Sequence, residues 1–252
     1  MQHFIRHFII PLARQHHWGS FCEIGACTGL GTDQLLKLPD ISYTIIDPCL
    51  DTDLAIKYAN DDRVTVLKRN SLDALPRLSH PYDCILIDGD HNWYTVFNEL
   101  RLIRERALLR PGGMIFFHDV AWPYARRDMY YQPDTIPREY RQSYESKGII
   151  RGQSPLAESG GYNPGIFNAN HEGGQRNGVL TAIEDFVSSR PTDYRFCRGR
   201  LQWGLGILQY RRRRLSEDFA FLQLRAKANL YSVYGILHDR NRETGRSVPA
   251  RI

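Results

Sequence analysis

Carboxylates and imidazoles that could act as acids, bases or metal ligands follow two apolar runs of this chain. Residues 82–91 read Tyr-Asp-Cys-Ile-Leu-Ile-Asp-Gly-Asp-His, and a second run ends in His118 and Asp119. Asp90 and His91 are candidate general bases, which would take a proton from a hydroxyl group during catalysis. The alternative for both is structural, with Asp90 as the N-cap of a helix and His91 hydrogen-bonded to the backbone.

A glycine-rich segment, residues 25–31, follows the first apolar run and is called the glycine turn below. Residues 21–32 read Phe-Cys-Glu-Ile-Gly-Ala-Cys-Thr-Gly-Leu-Gly-Thr. Such a turn lets a ligand approach the backbone closely, although its glycines could also serve packing alone. The carboxylate at position 23 would repel a diphosphate and attract a cation, such as the sulfonium of S-adenosylmethionine. The spacing also differs from the Gly-x-Gly-x-x-Gly of dinucleotide binders. We therefore expect S-adenosylmethionine to contact Glu23, Gly25, Ala26, Thr28 and Gly29.

Three polar positions complete the predicted cofactor site. Asp47 ends an apolar run about 20 residues past the glycine turn, where a carboxylate can accept hydrogen bonds from ribose hydroxyls. It could instead cap the turn before Pro48. Ser71 could border the adenine, or cap the turn before Pro76. Asp88 is the third predicted contact.

These residues need strands that all end at one edge of a sheet. Residues 82–87 are almost continuously apolar, which is typical of a central parallel strand buried on both faces. Apolar residues from position 93 to 107 recur at helical spacing, so the acidic cluster lies between a strand and a helix. We expect one edge of the sheet to carry surplus negative charge, which a positively charged methyl donor would offset, from Glu23, Asp47, Asp88 and Asp119.

Methyl transfer from a sulfonium is an in-line displacement and needs these residue types. The enzyme has to align the acceptor oxygen, the methyl carbon and the sulfur, and no covalent nucleophile is required. A hydroxyl group is a poor nucleophile while it is protonated. A base within hydrogen-bond reach, or a cation that lowers the pKa of the hydroxyl, must therefore assist.

Four motifs together resemble class I S-adenosylmethionine-dependent methyltransferases. They are Glu-x-Gly-x-x-x-Gly at 23–29, Ile-Asp-Pro at 46–48, Ile-Asp-Gly-Asp-His at 87–91 and Gly-Gly-Met-Ile-Phe-Phe-His-Asp-Val at 112–120. More narrowly, they are similar to the branch that includes macrolide-sugar and aminocoumarin-sugar O-methyltransferases, to which cephalosporin hydroxylase-like proteins are related. The resemblance covers residues 15–120 well and the remainder of the chain in outline.

The resemblance implies roles for several of these residues. In metal-dependent relatives, the aspartate matching Asp88 and an acidic pair matching His118 and Asp119 hold magnesium, and the carboxylate matching Asp90 is the general base. This chain departs at His118, because magnesium prefers oxygen ligands and an imidazole suits a softer divalent ion. Another ion such as manganese binds, or the two aspartates hold magnesium with water, or no metal is used.

With this resemblance, the elements predict an α/β fold with a doubly wound, mostly parallel seven-stranded sheet (Rossmann-like). Residues 194–198 and 203–210 are expected to form an antiparallel terminal hairpin. Residues 121–178, called the insertion below, follow strand five and are irregular and rich in tyrosine. Long connections of this kind are often lids or binding loops, so we expect the insertion to select the acceptor. A C-terminal helix at 215–237 could join a second copy of the chain.

Composition fits one methyltransferase domain over residues 1–252. The chain has 42% hydrophobic residues and no apolar stretch of membrane-spanning length. Residues 1–18 predict an amphipathic helix broken near Pro11 and lack the features of a secretory signal. Five cysteines without a Cys-x-x-Cys pair indicate reduced, buried thiols in a cytoplasmic protein.

The leading hypothesis is an S-adenosylmethionine-dependent O-methyltransferase acting on a small acceptor, with a sugar or glycosylated metabolite suggested by the resemblance. The net charge of +5 comes largely from arginine-rich segments such as residues 211–214. This run could contact phosphates in a nucleic-acid methyltransferase, but a solvated position is favoured and nucleic acid is not the expected partner. The chain could also be a nicotinamide-dependent oxidoreductase or a non-catalytic protein that binds the cofactor.

Overall fold

A seven-stranded sheet forms the centre of the molecule, and the computed structural model describes residues 1–199 and 203–210. The ten strands of these residues are β1 (Ser20–Ile24), β2 (Ser42–Ile46), β3 (Val64–Leu67), β4 (Tyr82–Ile87), β5 (Leu109–Phe117), β6 (Met129–Tyr130), β7 (Tyr144–Glu145), β8 (Phe167–Ala169), β9 (Tyr194–Arg198) and β10 (Gly206–Tyr210). The central sheet has the order β3-β2-β1-β4-β5-β10-β9, and only β9 and β10 run antiparallel to their neighbours. The predicted α/β fold and its antiparallel terminal hairpin are confirmed.

Helices cover both faces of this sheet. They are α1 (Gln2–Phe4), α2 (Ile10–His16), α3 (Leu30–Leu35), α4 (Thr52–Ala59), α5 (Ser71–Ala74), α6 (Trp93–Glu105) and α7 (Val179–Ser188), with 3-10 turns at Leu75–Arg77, Pro133–Thr135 and Arg138–Tyr140. Neighbouring strand residues point to opposite faces, so Phe116 packs in the core beneath α2 and α3, whereas Phe117 packs in the core beneath α6 and α7. Burial on both faces explains why these strands read as continuous apolar runs.

The sequence predicted that the N-terminal helix is broken near Pro11, but the helical segment is continuous there. A π-helical stretch, Ile5–Ile9, joins α1 to α2, and Pro11 lies in the first turn of α2. The Ile10 N–H donates to the Ile5 carbonyl across the π-helical stretch, so the helical segment continues into Pro11, which itself has no N–H to donate. The segment buries Ile5 and Ile9 completely against the sheet.

The insertion is more regular than its composition suggested. Strands β6, β8 and β7 form a separate antiparallel sheet in that order. The fully buried Asp128 carboxylate accepts hydrogen bonds from the N–H groups of Trp93 at 2.7 Å and Gly178 at 2.6 Å, and from the Tyr130 hydroxyl at 2.8 Å. These bonds tie the insertion to the starts of α6 and α7, because the first N–H groups of a helix lack intrahelical partners.

The expectation that all cysteines are buried is wrong for two of them. None of the five cysteines forms a disulfide, and Cys22, Cys84 and Cys197 are buried, but Cys27 and Cys49 are exposed. Both lie in loops after strands, where their backbone serves the turn and their side chains do not enter a core.

Two predicted segments, the helix at 215–237 and the arginine run at 211–214, lie outside the described residues. Within residues 1–199 and 203–210, no helix combines the length and apolar character that crossing a bilayer requires. The predicted cytoplasmic location and the contact between copies stay predictions.

The buried Glu99 of α6 should make the stability of the folded protein depend on pH. Its side chain is fully buried, neither carboxyl oxygen has a hydrogen-bond partner, and burial raises the pKa to about 8. A raised pKa stabilises the folded protein at low pH, and this contribution is lost as the pH rises from the unfolded pKa through about 8. Glu99→Gln should therefore remove up to about 1.4 kcal/mol of pH dependence per pH unit across this window.

Urea unfolding of wild type and variant at pH 6 and pH 8 would measure this difference. Glu105→Gln is the matched control, because Glu105 lies on the same helix but is exposed and paired with Arg101. Equal pH dependence in wild type and Glu99→Gln would show that the Glu99 carboxyl is not held neutral.

Candidate active site

Four ionisable side chains meet where β4 and β5 end, and we call them the acid–imidazole cluster: Asp88, His91, His118 and Asp119. His91 Nε2 and His118 Nδ1 each lie 2.8 Å from Asp119 Oδ2. Asp88 Oδ1 lies 3.2 Å from His118 Nδ1 and 3.8 Å from His91 Nε2. The two motifs singled out in the sequence thus come together, since adjacent parallel strands bring their carboxyl ends to one edge.

The imidazoles and carboxylates of the cluster carry opposite charges, and the Met1 ammonium lies 3.5 Å from Asp88 Oδ2. Burial acts to lower the pKa values of both imidazoles, but the two carboxylates outweigh it and raise them to about 10 for His91 and about 8 for His118. Burial acts to raise the carboxyl pKa values, yet the imidazoles hold those of Asp88 and Asp119 well below their usual range. Two imidazoliums cancel two carboxylates, and one divalent cation beside neutral imidazoles would supply the same charge.

The donor set fits a divalent metal ion. One ligand atom from each of the four residues lies within 4.8 Å of the others. Asp119 Oδ1 is buried without a hydrogen-bond partner, so it has a free lone pair for an ion. Mixed carboxylate and imidazole ligands suit manganese, iron or zinc better than magnesium. The predicted ligands Asp88, His118 and Asp119 therefore lie in suitable positions, and His91 joins them.

Asp90 lies beside this cluster but is engaged elsewhere. Its carboxylate accepts hydrogen bonds from the Thr95 hydroxyl at 2.9 Å and from the backbone N–H of His91 at 3.1 Å. Asn92 is the N-cap of α6, and its side chain accepts from the Thr95 N–H at 2.8 Å. Asp90 is thus not the N-cap, but it supports the same first turn and the backbone of His91.

Glu23 lies beneath the glycine turn. Its side chain is buried and accepts hydrogen bonds from the Tyr43 hydroxyl at 2.8 Å and from the Thr32 hydroxyl. Burial raises the pKa of this carboxyl to about 7. Its carboxyl lies against Gly31 of α3. The Glu23 carboxyl is therefore surrounded by Thr32, Tyr43 and Gly31, which lie between it and a ligand at the turn.

Asp47 holds the glycine turn to the loop after β2. Its two carboxylate oxygens accept hydrogen bonds at 2.8 Å, one from the N–H of Cys27 and one from that of Cys49. Each oxygen keeps a second lone pair, so ribose hydroxyls can still bind. Gly25 and Gly29 have φ values of +87° and +71°, which glycine adopts without strain. Of the remaining predicted contacts, Ala26 and Ser71 are buried and Thr28 is exposed.

Aromatic side chains surround the two histidines. The ring centroid of His91 lies 5.6 Å from that of Tyr124 and 6.3 Å from that of Tyr131, both from the insertion. The ring of His118 lies 6.2 Å from Phe4 and stacks on Trp203 at 6.3 Å. Phe4 and Trp203 were not predicted, because no local pattern links positions so far from the motifs in the chain.

The chain was compared with known proteins. Residues 22–120 match the model of a family described as a methyltransferase domain, and none of the curated proteins matches the chain. The S-adenosylhomocysteine-bound methyltransferase PaMTH1 from Podospora anserina is 14% identical with a TM-score of 0.51, covering 81% of this chain and 77% of its own. The O-methyltransferase TomG from Streptomyces achromogenes, involved in tomaymycin synthesis and solved with S-adenosylmethionine, is 14% identical with a TM-score of 0.49, covering 83% and 78%. An O-methyltransferase from Bacillus cereus in complex with S-adenosylhomocysteine is 15% identical with a TM-score of 0.46, covering 83% and 80%.

Residues 22–120, which match the methyltransferase domain, include the glycine turn and the acid–imidazole cluster, in agreement with the predicted S-adenosylmethionine-dependent methyltransferase. The likeness to PaMTH1 agrees with the fold. The narrower branch of sugar O-methyltransferases stays a prediction.

Proposed function

We propose that this chain is an S-adenosylmethionine-dependent O-methyltransferase that acts on a hydroxyl group of a small acceptor. The observation that carries the proposal is the acid–imidazole cluster at the strand ends of a methyltransferase domain. The cluster offers both a base and a cation site beside the glycine turn, which are the two means of activating a hydroxyl. The bound S-adenosylhomocysteine of PaMTH1, which shares the fold, supports the choice of cofactor.

The glycine turn and Asp47 would bind the cofactor. Gly25 presents bare backbone at the end of β1, and Asp47 offers its remaining lone pairs to the ribose hydroxyls. Ser71, at the start of α5, borders the adenine in this assignment, and Asp88 faces the methionine end. Buried Glu23 supports the turn from below, and in its ionised form it adds negative potential for the sulfonium.

His91 is the proposed general base. Its Nε2 lies 2.8 Å from Asp119, so this atom holds a proton that the carboxylate orients. Its Nδ1 is buried without a hydrogen-bond partner, and with a divalent ion bound and the imidazole neutral this atom would take the proton of the acceptor hydroxyl. A carboxylate that fixes the tautomer and orientation of an imidazole is a recurring catalytic arrangement. Asp90 accepts a hydrogen bond from the backbone N–H of His91 and is then a positioning residue.

Asp88, His118 and Asp119 would hold a divalent metal ion in this proposal. When bound, such an ion lowers the pKa of a coordinated hydroxyl group. His118 Nδ1 lies 3.2 Å from Asp88 Oδ1 and 2.8 Å from Asp119 Oδ2, so the three side chains are already close together. Although His91 offers a fourth ligand atom, this proposal assigns it to proton transfer and leaves it outside the ligand set, with its Nε2 bonded to Asp119.

The acceptor that we propose is a sugar or a glycosylated metabolite. The aromatic face of Tyr131 suits stacking against a sugar ring, because this side chain is 57% exposed beside His91, whereas Tyr124 is buried against the same imidazole. The insertion that carries both residues would select the acceptor. Assays with glycosylated and unglycosylated forms of one hydroxylated compound would test this preference.

Isothermal titration calorimetry with S-adenosylhomocysteine and with NAD tests the cofactor class. Binding of S-adenosylhomocysteine without binding of NAD supports the proposal. Binding of NAD alone would favour the nicotinamide-dependent oxidoreductase, and binding of neither would remove the cofactor assignment.

Asp47→Ala is expected to weaken S-adenosylhomocysteine binding by about 10-fold to 1000-fold, because it removes bonds to ribose and leaves two N–H groups without their acceptor. Calorimetry measures the affinity, and Asp51→Ala is the control, since Asp51 caps α4 on the exposed surface. An affinity within about twofold of wild type would exclude Asp47 from ribose recognition.

Removal of metal should lower turnover. After chelation and buffer exchange, methyl transfer is expected to fall and to recover better with manganese than with magnesium, because an imidazole is among the ligands. His118→Glu should shift the preference toward magnesium by restoring an oxygen ligand. Unchanged turnover in the presence of chelator would show that the cluster works without metal.

A further inference from the structure

Two exposed thiols border the proposed cofactor site. Cys27 lies in the glycine turn with φ +49°, and Cys49 lies in the loop after β2. Their backbone N–H groups donate to the two oxygens of the same carboxylate, each at 2.8 Å from Asp47. One buried side chain therefore holds both cysteine backbones to the same carboxylate, although the residues are far apart in sequence.

The remaining cysteines differ from this pair. Cys22, Cys84 and Cys197 are buried in the two cores, where burial raises the pKa of Cys22 and Cys84. A buried, protonated thiol is inert, whereas an exposed thiol next to a second thiol can be oxidised reversibly. Among the described residues, only Cys27 and Cys49 combine exposure with a shared anchoring carboxylate.

We propose that Cys27 and Cys49 are a modification site, a dithiol that peroxide converts to a disulfide and that thereby closes the cofactor site. The formation of the bond depends only on the geometry of these two loops. Its effect on the cofactor rests on the proposed function, because it assumes that the glycine turn and Asp47 bind S-adenosylmethionine.

The chemistry needs one equivalent of hydrogen peroxide. The thiolate of Cys49 attacks a peroxide oxygen, and the O–O bond breaks to give a sulfenic acid and hydroxide, which takes up the proton that the thiol had released and becomes water. The Cys27 sulfur then attacks the sulfenic sulfur, the S–O bond breaks, and a second water leaves as the S–S bond forms. Two thiols lose two hydrogens in all. Partial burial and the Asp47 carboxylate raise the pKa of Cys27, which favours Cys27 as the resolving thiol.

The disulfide would change the site at the atoms that bind the cofactor. A disulfide holds the two Cβ atoms about 3.8 Å apart, so it draws the glycine turn and the β2 loop together over Asp47. The N–H groups of both cysteines would turn with their backbones, and the sulfurs would cover the oxygens offered to the ribose. Reduction of the S–S bond would restore the site.

The test treats the full chain with hydrogen peroxide and maps its peptides by mass spectrometry without reduction. The expected result is a peptide pair linked through positions 27 and 49, with the loss of two hydrogens. S-adenosylhomocysteine affinity should fall by about tenfold or more and recover with dithiothreitol. Cys49→Ser and Cys27→Ser should each abolish the linked pair, and their affinities should become insensitive to peroxide.

Several results would overturn the proposal. The absence of the linked pair from oxidised wild type would remove the modification site, as would links that favour Cys22, Cys84 or Cys197. A linked protein that binds S-adenosylhomocysteine like the reduced one would remove the effect on the cofactor site. A reduced protein that binds no S-adenosylhomocysteine would count against the proposed function alone, since the linked peptide reports on the disulfide independently.

Discussion

His91→Asn is expected to lower kcat by about 10²-fold to 10⁴-fold, the contribution typical of a general base. The asparagine amide cannot take the proton of the acceptor hydroxyl, whereas Nδ1 of His91 is unpartnered and available for it. Affinity for S-adenosylhomocysteine should stay within about twofold, because His91 lies outside the predicted cofactor contacts. Single-turnover methyl transfer and calorimetry on the same preparation measure the two quantities.

Asp90→Asn is the matched control, because the sequence offered Asp90 as the other candidate base. Its carboxylate is engaged with Thr95 and with the His91 N–H, and an asparagine oxygen can still accept one of these bonds. We expect Asp90→Asn to keep most of the turnover. If Asp90→Asn abolished turnover and His91→Asn did not, the base would be Asp90.

The metal content of His91→Asn separates its two candidate roles. If His91 is a base outside the ligand set, the His91→Asn variant should bind as much manganese as wild type after dialysis, since Asp88, His118 and Asp119 remain. Loss of the metal together with turnover would show that His91 acts as a fourth ligand.

Gly25→Ala is expected to lower the free energy of unfolding by about 2 to 5 kcal/mol. A Cβ at this position would lie 2.5 Å from the backbone of Asp88 and Gly89, and the φ of +87° is one that alanine rarely adopts. Relief would push apart the ends of β1 and β4, so S-adenosylhomocysteine binding should be lost as well. Urea unfolding and calorimetry test both effects.

Gly165→Ala provides the control for this substitution. Gly165 has no heavy atom within 4 Å of an added Cβ and no positive φ. Its replacement should change the stability by less than about 0.5 kcal/mol. Equal effects of the two substitutions would contradict the argument that close backbone approach requires glycine at position 25.

The central strands could be predicted because burial on both faces leaves a clear pattern. Residues 82–87 are almost wholly apolar, and the strand occupies those residues. Strand β5 ends at Phe117, so His118 and Asp119, which follow the apolar run in the sequence, lie just beyond the strand and form part of the cluster. The three-stranded sheet of the insertion was missed because strands of two or three residues carry too little periodicity to recognise.

The acid–imidazole cluster could be predicted in part. Strand ends at one edge bring Asp88 and Asp119 together, as the parallel topology requires. The pairing of His91 with Asp119 depends on the turn after Asp88, and the stacking of Trp203 on His118 depends on chain separated from it by the whole insertion. Such long-range contacts leave no pattern in a single sequence.

The bonds of Asp128 bear on how enzymes of this kind could diversify. Asp128 accepts hydrogen bonds from the backbone N–H groups of positions 93 and 178, so these bonds do not depend on which side chains stand there. An exchanged segment from a related enzyme would dock in the same place if it brought an equivalent aspartate. Choice of substrate could then evolve, or be engineered by grafting, while the methyl-transfer machinery stays as it is.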